Sequence, residues 1–443
     1  MKRFIQTIKN IWAIEDLRSR ILTTLLLVLI YRVGSHIVLP GIDPNQLRDL
    51  ASNGDRGIFS LINIFAGGAF NRASVLALGI MPYISASIVV QLLTMAIPYF
   101  QKLQKEGESG RRQINQITRM LTVVVTFLQA SGYVVYLRNM GVDVLTSSGL
   151  FWLSTTVILT AGTIFCMWMG EKITDKGIGN GISLLIMVGI MARLPFALVA
   201  EFNGRSTAGG GGMVVFLLEI AALIGVVVVV ILLVQGTRKI PVQYAKRIIG
   251  NKQYGGVRQY IPLKVNAAGV MPIIFAQALM FIPATIAQFN PDSQAFQGLS
   301  SFTDHTSFWY NLIFGTLIIL FTYFYTALIV NPIQMADDMK RNGGFIPGIK
   351  PGKKTADFID SVMSKITLPG AIFLAFVAIL PGIASLFKVN SQFASFYGGT
   401  SLLIMVGVIL DTLQQIESHL LMRHYDGLMK SGRIKGRTAG VNQ

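Results

Sequence analysis

Ten long apolar stretches separated by polar segments run along the chain, and their alternation predicts its architecture. A helix of about 20 apolar residues crosses the hydrocarbon core of a bilayer. On that rule the pattern predicts spans near 21–39, 73–97, 120–137, 151–169, 181–200, 213–234, 267–289, 309–330, 368–387 and 398–421. One apolar run does not fit. Phe59-Ser60-Leu61-Ile62-Asn63-Ile64-Phe65-Ala66 is too short to span, carries Asn63, and is broken by Gly67-Gly68. A short helix at membrane depth is tolerated only where protein or a water-filled cavity surrounds it. The run therefore reads either as a half-helix tucked into the mouth of a bundle or as a helix lying on the membrane surface. In the span that follows, Ile80 and Ile84 are four residues apart and share one helical face. Ser85, Ser87 and Gln91 add small or polar groups of the kind that face other helices rather than lipid.

At the N-terminus, residues 1–20 place Phe4, Ile5, Ile8, Ile11 and Trp12 at helical spacing with Lys2, Arg3 and Lys9 off that face, a pattern for an interfacial helix. The apolar run from Leu22 is followed by Arg32 and His36 rather than by a small-residue cleavage site, so it reads as an uncleaved first span. Arg32, late in that span, can snorkel to the far side. Residues 203–212 hold four consecutive glycines, Gly209 to Gly212, and read as a linker. The linker separates an N-terminal half, 21–202, from a C-terminal half, 213–422, with a basic tail at 423–443. The expected class is an all-α polytopic membrane protein of ten helices. Five spans on each side of a linker suggest two pseudo-symmetric halves, although no residue-level repeat is visible.

Composition agrees with that class: 52% of residues are hydrophobic and 13% charged. The net charge of +17 would suggest nucleic acid in a soluble protein. Here, thirty Lys and Arg fall on the side of the termini and the 2/3, 4/5, 6/7 and 8/9 loops, against seven on the other side. The positive-inside rule then places both termini in the cytoplasm. The single Cys166 excludes an internal disulfide, and four scattered histidines offer neither a zinc site nor a Cys/His pair. No cofactor, metal or catalytic residue is expected. Gly177-Ile178-Gly179-Asn180-Gly181 resembles a phosphate loop only superficially, since no Lys-Ser/Thr follows and no strand precedes; close helix packing is the plainer reading.

Acidic residues within the spans are few: Glu219, Asp411 and Glu417. Such groups are functional candidates, but Asp411 is expected near the cytoplasmic surface. Ion-coupled transport would call for more of them. The two longest cytoplasmic segments, 236–266 and 331–367, are basic and exceed ordinary connection lengths. The first contains Val242-Gln243-Tyr244-Ala245-Lys246-Arg247. The second contains Gly343-Gly344-Phe345-Ile346-Pro347-Gly348-Ile349-Lys350-Pro351-Gly352, whose Gly and Pro should display Lys350 at a turn. Topology and anionic lipid account for the charge; the length points to docking of an anionic protein or RNA.

These residues, together with Tyr31-Arg32-Val33-Gly34, Asn63 to Phe70, Leu78 to Gln91, Lys105 to Arg112, Gly177 to Ser183 and Gly398 to Ile404, resemble the SecY family, the channel subunits of bacterial protein translocons. The resemblance covers nearly the whole chain. It implies a clamshell of two five-helix halves around an hourglass pore. A plug helix at 59–70 would contribute Phe59, Leu61, Ile62, Asn63, Ile64, Phe65, Gly67, Gly68 and Phe70. The pore ring would be Ile80, Ile84, Ile182, Ile186, Ile274 and Ile404. Ser87, Gln91 and Gln277 would line a lateral gate between spans 2–3 and 7–8, with Pro272 and Pro283 loosening span 7. Lys246, Arg247, Lys350, Lys353 and Lys354 would dock cytosolic partners. With no Walker motif in the chain, energy would come from the motor ATPase SecA or a translating ribosome. SecE and SecG would be membrane partners, with YidC and SecDF as further ones. Preproteins bearing signal sequences would be the cargo, passed across the cytoplasmic membrane or released into its lipid. Lys350 stands where the family pattern has Arg, exchanging a planar fork for a point charge, and Asn251-Lys252 is less basic than the pattern.

Branched aliphatic side chains suit such a ring. They make a gasket without directional bonds, and a hydrophobic constriction closes by dewetting. A secondary transporter shares the five-plus-five layout but is disfavoured by the scarcity of buried charge. No paired carboxylates or nucleophile–base pair supports an enzyme.

Overall fold

The computed structural model describes residues 12, 14–43, 63, 66–139, 148–206, 212–244, 247–249, 252–254, 258–277, 279–280 and 307–430. The chain is predominantly helical. Among the described residues seven helices are long and apolar enough to cross a membrane, or eight if a bent pair after Met81 counts as one span. The expected first span corresponds to a helix, Glu15–Gly34, that carries five charged residues. The expected seventh span is helical over 271–277, and most of its remainder lies outside the described residues. The chain folds as two compact units, Met1–Arg193 with Val408–Gln443, and Leu194–Gly407.

The first unit contains α1 (Glu15–Gly34), α2 (Met81–Ala96), α3 (Pro98–Lys105), α4 (Glu108–Asn139), α5 (Ser148–Lys176) and α6 (Gly181–Met191). The apolar run expected to be helical from residue 73 becomes so only at Met81, where Pro82 suits a first helical turn. Residues 66–80 form successive turns instead. Gly67, Gly68, Ala73 and Gly79 have positive φ, which no helix accommodates. The turn backbone is paired elsewhere: Leu39 N donates to Ala73 O at 2.8 Å and Val75 N to Ile37 O at 2.9 Å. Composition could not separate these turns from a helix because both are buried and apolar. Ala66, Ala69, Phe70, Ala73, Ala77 and Leu78 pack with Tyr133, Val134 and Leu137 of α4 and Phe151 and Leu159 of α5. The polar segment expected as a loop after span 2 is also helical. α3 turns 97° from the preceding helix, and Gly107 at φ 72° reverses the chain into α4. Gly110 there lies so close to α3 that an added Cβ would sit 1.7 Å from Leu103 O.

The second unit contains α7 (Leu194–Ser206), α8 (Gly212–Gln235), β1 (Thr237–Tyr244), β2 (Arg247–Ile249), β3 (Lys252–Tyr254), β4 (Arg258–Lys264), α9 (Phe308–Ile329), α10 (Pro332–Arg341), β5 (Gly344–Phe345), α11 (Lys353–Leu386) and α12 (Ser391–Ala394). The division between units falls within α13 (Gly399–Lys430). The two long basic segments are not open loops. β1 pairs antiparallel with β4, with Ile240 opposite Ile261, and at its end with β5, with Gln243 opposite Phe345 and Tyr244 opposite Gly344. One small sheet, β4-β1-β5, therefore joins them. Ile240 and Val242 alternate inward with strand period. They pack on Leu263, Met339, Ile346, Ile359 and Met363, giving the segments an apolar core of their own.

Candidate functional site

The site begins at the glycine pair after the expected half-helix. Asn63 is buried; its Oδ1 accepts from Asn71 N at 3.1 Å and its carbonyl from Gly68 N at 2.9 Å. Gly67 backs onto α6 so closely that a Cβ would stand 2.8 Å from Gly189 Cα. Two guanidinium groups converge on the turn: Arg72 Nη2 donates to Gly67 O at 2.9 Å, and Arg32 Nη1 reaches the same oxygen at 3.5 Å. Arg72 Nε donates to Gly68 O at 3.1 Å, and its Nη1 lies 2.9 Å from His36 Nε2. A guanidinium only donates, so His36 Nε2 accepts and the ring proton sits on Nδ1, 2.8 Å from Arg32 O. Burial, then the neighbouring Arg32 and Arg193, push the Arg72 pKa below its ordinary value. Phe70 is fixed from the other side, its carbonyl accepting from Tyr133 OH at 2.6 Å and its ring meeting Tyr133 edge-on at 4.7 Å. Phe59, Leu61, Ile62, Ile64 and Phe65 lie outside the described residues. Sequence reasoning missed this clamp: Arg32 reads as a snorkelling residue, and Arg72 is one of the seven basic residues counted on the side opposite the termini. The signal was three basic side chains, Arg32, His36 and Arg72, at the ends of two apolar runs.

Ile80 precedes α2 and is buried; Ile84, one turn on, is half-buried. In α6, Ile182 is half-buried and Ile186 buried. Ile182 leans on α5, where a Cβ on Gly170 would come within 2.9 Å of its Cγ1. These four belong to the first unit. In the second, Ile274 is half-buried and Ile404 buried. None of the six is exposed. Ser87, Gln91 and Gln277 are half-buried, and Gln91 Nε2 lies 3.5 Å from Ser87 Oγ.

The glycine-rich turn before α6 is a helix-packing element. Asn180 Oδ1 caps the helix by accepting from Ile182 N and Ser183 N at 3.2 and 3.4 Å. Gly179 N donates to Gln415 Oε1 at 2.8 Å, Gly181 N to Thr174 Oγ1 at 2.9 Å, and Ile178 N to Thr24 Oγ1 at 3.1 Å. The N–H groups that would cradle a phosphate are thus spent within the protein. A Cβ on Gly181 would sit 2.0 Å from Gly170 O, so glycine sets the approach of α5 and α6.

On the basic segments, Lys350, Lys353 and Lys354 are exposed around the start of α11. Gly348 and Gly352 turn the chain there with φ of 84° and 98°. Cations in a first helical turn oppose the helix dipole, at about 0.3–1 kcal/mol each, so the dipole disfavours Lys353 and Lys354 at the start of α11. Arg247 lies in β2 and Lys246 is outside the described residues. Asp411 and Glu417 are exposed, whereas Glu219 is buried. Among the described residues no group of His, Cys, Asp and Glu could hold a metal ion.

The comparisons with known proteins point one way. The family model described as SecY matches residues 74–413. The chain is 45% identical to the protein translocase subunit SecY of Mycobacterium tuberculosis, covering 97% of this chain and 100% of that one. It is 41% identical to the subunit of the same name from Aquifex aeolicus, covering 96% and 99%. Among solved structures, one titled "The structure of a protein conducting channel" matches with TM-score 0.61 at 18% identity, over 90% of this chain and 92% of that one. Another, on Sec61 in a canine ribosome–channel complex, matches with TM-score 0.57 at 16% identity, over the same shares.

Proposed function

The chain belongs to the SecY family of protein translocase channel subunits, and from that premise we propose that it is the passive pore of a translocon in the cytoplasmic membrane, with both termini cytoplasmic. It passes unfolded secretory polypeptides across the membrane and lets apolar segments leave sideways into lipid. It performs no chemistry itself. The observation that carries this reading is the state of the six isoleucines: all are withdrawn from the exposed surface although each sits in a chain built to face lipid. Ile80, Ile84, Ile182, Ile186, Ile274 and Ile404 would form a gasket that yields to any sequence, because dispersion contacts carry no direction. The segment ending at Gly67, Gly68 and Phe70 would be the plug, held by Arg72 and Arg32 while the pore is at rest. Ser87, Gln91 and Gln277 would line the lateral seam, where weak polar contacts hold helices that must part.

The motor is external. The basic surface around Lys246, Arg247, Lys350, Lys353 and Lys354 would dock SecA or a ribosome, with SecE and SecG as membrane subunits and YidC and SecDF as later partners. A related fold engaged with a ribosome supports this use of the cytosolic face. The deciding experiment arrests a secretory chain in transit and places a photo-crosslinker at Ile84, Ile186 or Ile404. Adducts to the arrested chain at all three positions, with none at lipid-facing Leu218, are expected. Adducts to lipid alone would overturn the reading.

A further inference from the structure

The second unit holds a buried ionic cluster that the pore reading does not use. Arg205, at the end of α7, donates through Nε to Glu201 Oε1 at 2.8 Å and through Nη2 to Glu219 Oε1 in α8. The same Nη2 lies 3.3 Å from Phe387 O and 3.2 Å from Lys388 O, just past the end of α11. Lys388 has φ 59°, a strained conformation for a residue with a side chain, so this turn is held rather than relaxed. Glu201 Oε2 accepts from Asn390 N at 2.7 Å, and Tyr397 OH donates to the carbonyl of Glu219 at 2.7 Å. The cluster thus ties segment 387–397, which leads into α13, to α7 and α8.

Its charges do not balance. Glu201 and Glu219 are 3% and 8% exposed, Arg205 12%, and two carboxylates share one guanidinium. Both oxygens of Glu201 have donors. Glu219 Oε2 is buried with no hydrogen-bond partner. A buried ionised oxygen without a donor is among the costliest arrangements a protein can hold. Among the described residues the titratable groups facing Glu219 are Glu201, Arg205 and Tyr397, and Lys388 meets the cluster through its carbonyl, its side chain being exposed. Among the described residues no second cationic side chain meets the cluster.

We infer that the Glu201–Arg205–Glu219 cluster is a proton-binding site: Glu219 carries a proton at neutral pH, leaving one carboxylate for one guanidinium and closing a neutral clamp on segment 387–397. Protonation turns the orphaned acceptor into a hydroxyl and removes the excess charge, while the Arg205 contact to Oε1 survives. This is independent of the pore assignment.

The test uses the assembled translocon in lipid nanodiscs, with carbon-13-labelled glutamate to identify bands in infrared spectra. A protonated glutamic acid band is expected at neutral pH in the unaltered chain and is lost in Glu219→Gln. Because Gln resembles the neutral acid, Glu219→Gln keeps the Asn390 amide protected from hydrogen exchange. Arg205→Met, which strands a buried carboxylate, speeds that exchange at least about tenfold. Absence of the band in the unaltered chain overturns the inference without any variant. So does a band that persists in Glu219→Gln, or a Glu219→Gln variant that opens Asn390 as far as Arg205→Met.

Discussion

Arg72 Nη2 donates to the carbonyl of Gly67 at 2.9 Å, five residues back along the chain, while Nη1 of the same guanidinium holds His36. One side chain therefore locks the turn after the expected plug to the end of the first helix. Charge-assisted bonds of this kind contribute about 1–2 kcal/mol net at a half-buried site. Arg72→Met should lower stability by that amount and raise ion leak through reconstituted, idle channels. Leak measured in planar bilayers checks it, and an unchanged leak with a lowered melting temperature would confine Arg72 to stability.

Gly67→Ala attacks the same turn from the backbone. Alanine is strained at φ 63°, and its methyl would press on Gly189 Cα at 2.8 Å. A cost of about 1–3 kcal/mol is expected. Ala substituted at Gly132, where an added methyl meets open space, should be neutral or slightly stabilising. Thermal unfolding in detergent compares the two.

Gly181→Ala should be more severe, because the methyl would lie 2.0 Å from Gly170 O and force α5 and α6 apart. Ile182 and Ile186 would move with α6. We expect poor assembly, or, where the protein assembles, raised ion leak together with slow preprotein transport.

Arg119 and Glu171 form a two-pronged ion pair between α4 and α5, with Nε–Oε1 at 2.8 Å and Nη2–Oε2 at 2.7 Å. Its side chains are 50% and 29% exposed, so water screens it. A double-mutant cycle should return a coupling below about 1 kcal/mol, diminishing with salt.

Lys353→Glu with Lys354→Glu separates folding from docking. Acidic residues favour a helix N-terminus, so stability should hold or rise by about 0.3–1 kcal/mol per site. Binding of the motor ATPase or ribosome should fall, most steeply at low ionic strength. Equal loss of stability and binding would mean that these lysines support α11 rather than a partner.

Much of the membrane architecture was legible in advance because a bilayer admits few solutions: a run of apolar residues long enough to span must satisfy its own backbone, and only a helix does so within one segment. The core helices from Glu108 to Lys176 and from Phe308 to Ile329 follow that rule. It failed at residues 66–80, where burial against Tyr133 and Phe151 lets apolar turns replace a helix. It also failed in the basic segments, where the strand alternation around Ile240 and Val242 is only a few residues long and the partner β5 lies about 100 residues away.

The sequence by itself determined the membrane class and the i,i+4 spacing of Ile80 with Ile84 and of Ile182 with Ile186, since hydropathy and residue spacing are properties of the linear chain. Tertiary structure alone decided that Arg72, Arg32 and His36 meet at Gly67, that Arg205 stands between Glu201 and Glu219, and that Gln243 pairs with Phe345. Glu201 and Arg205 are one helical turn apart, but the contacts of Arg205 with Glu219, of Arg72 with His36 and of Gln243 with Phe345 join residues whose separations follow no local period, and a buried polar group takes as its partner whatever the packed fold brings within about 3 Å.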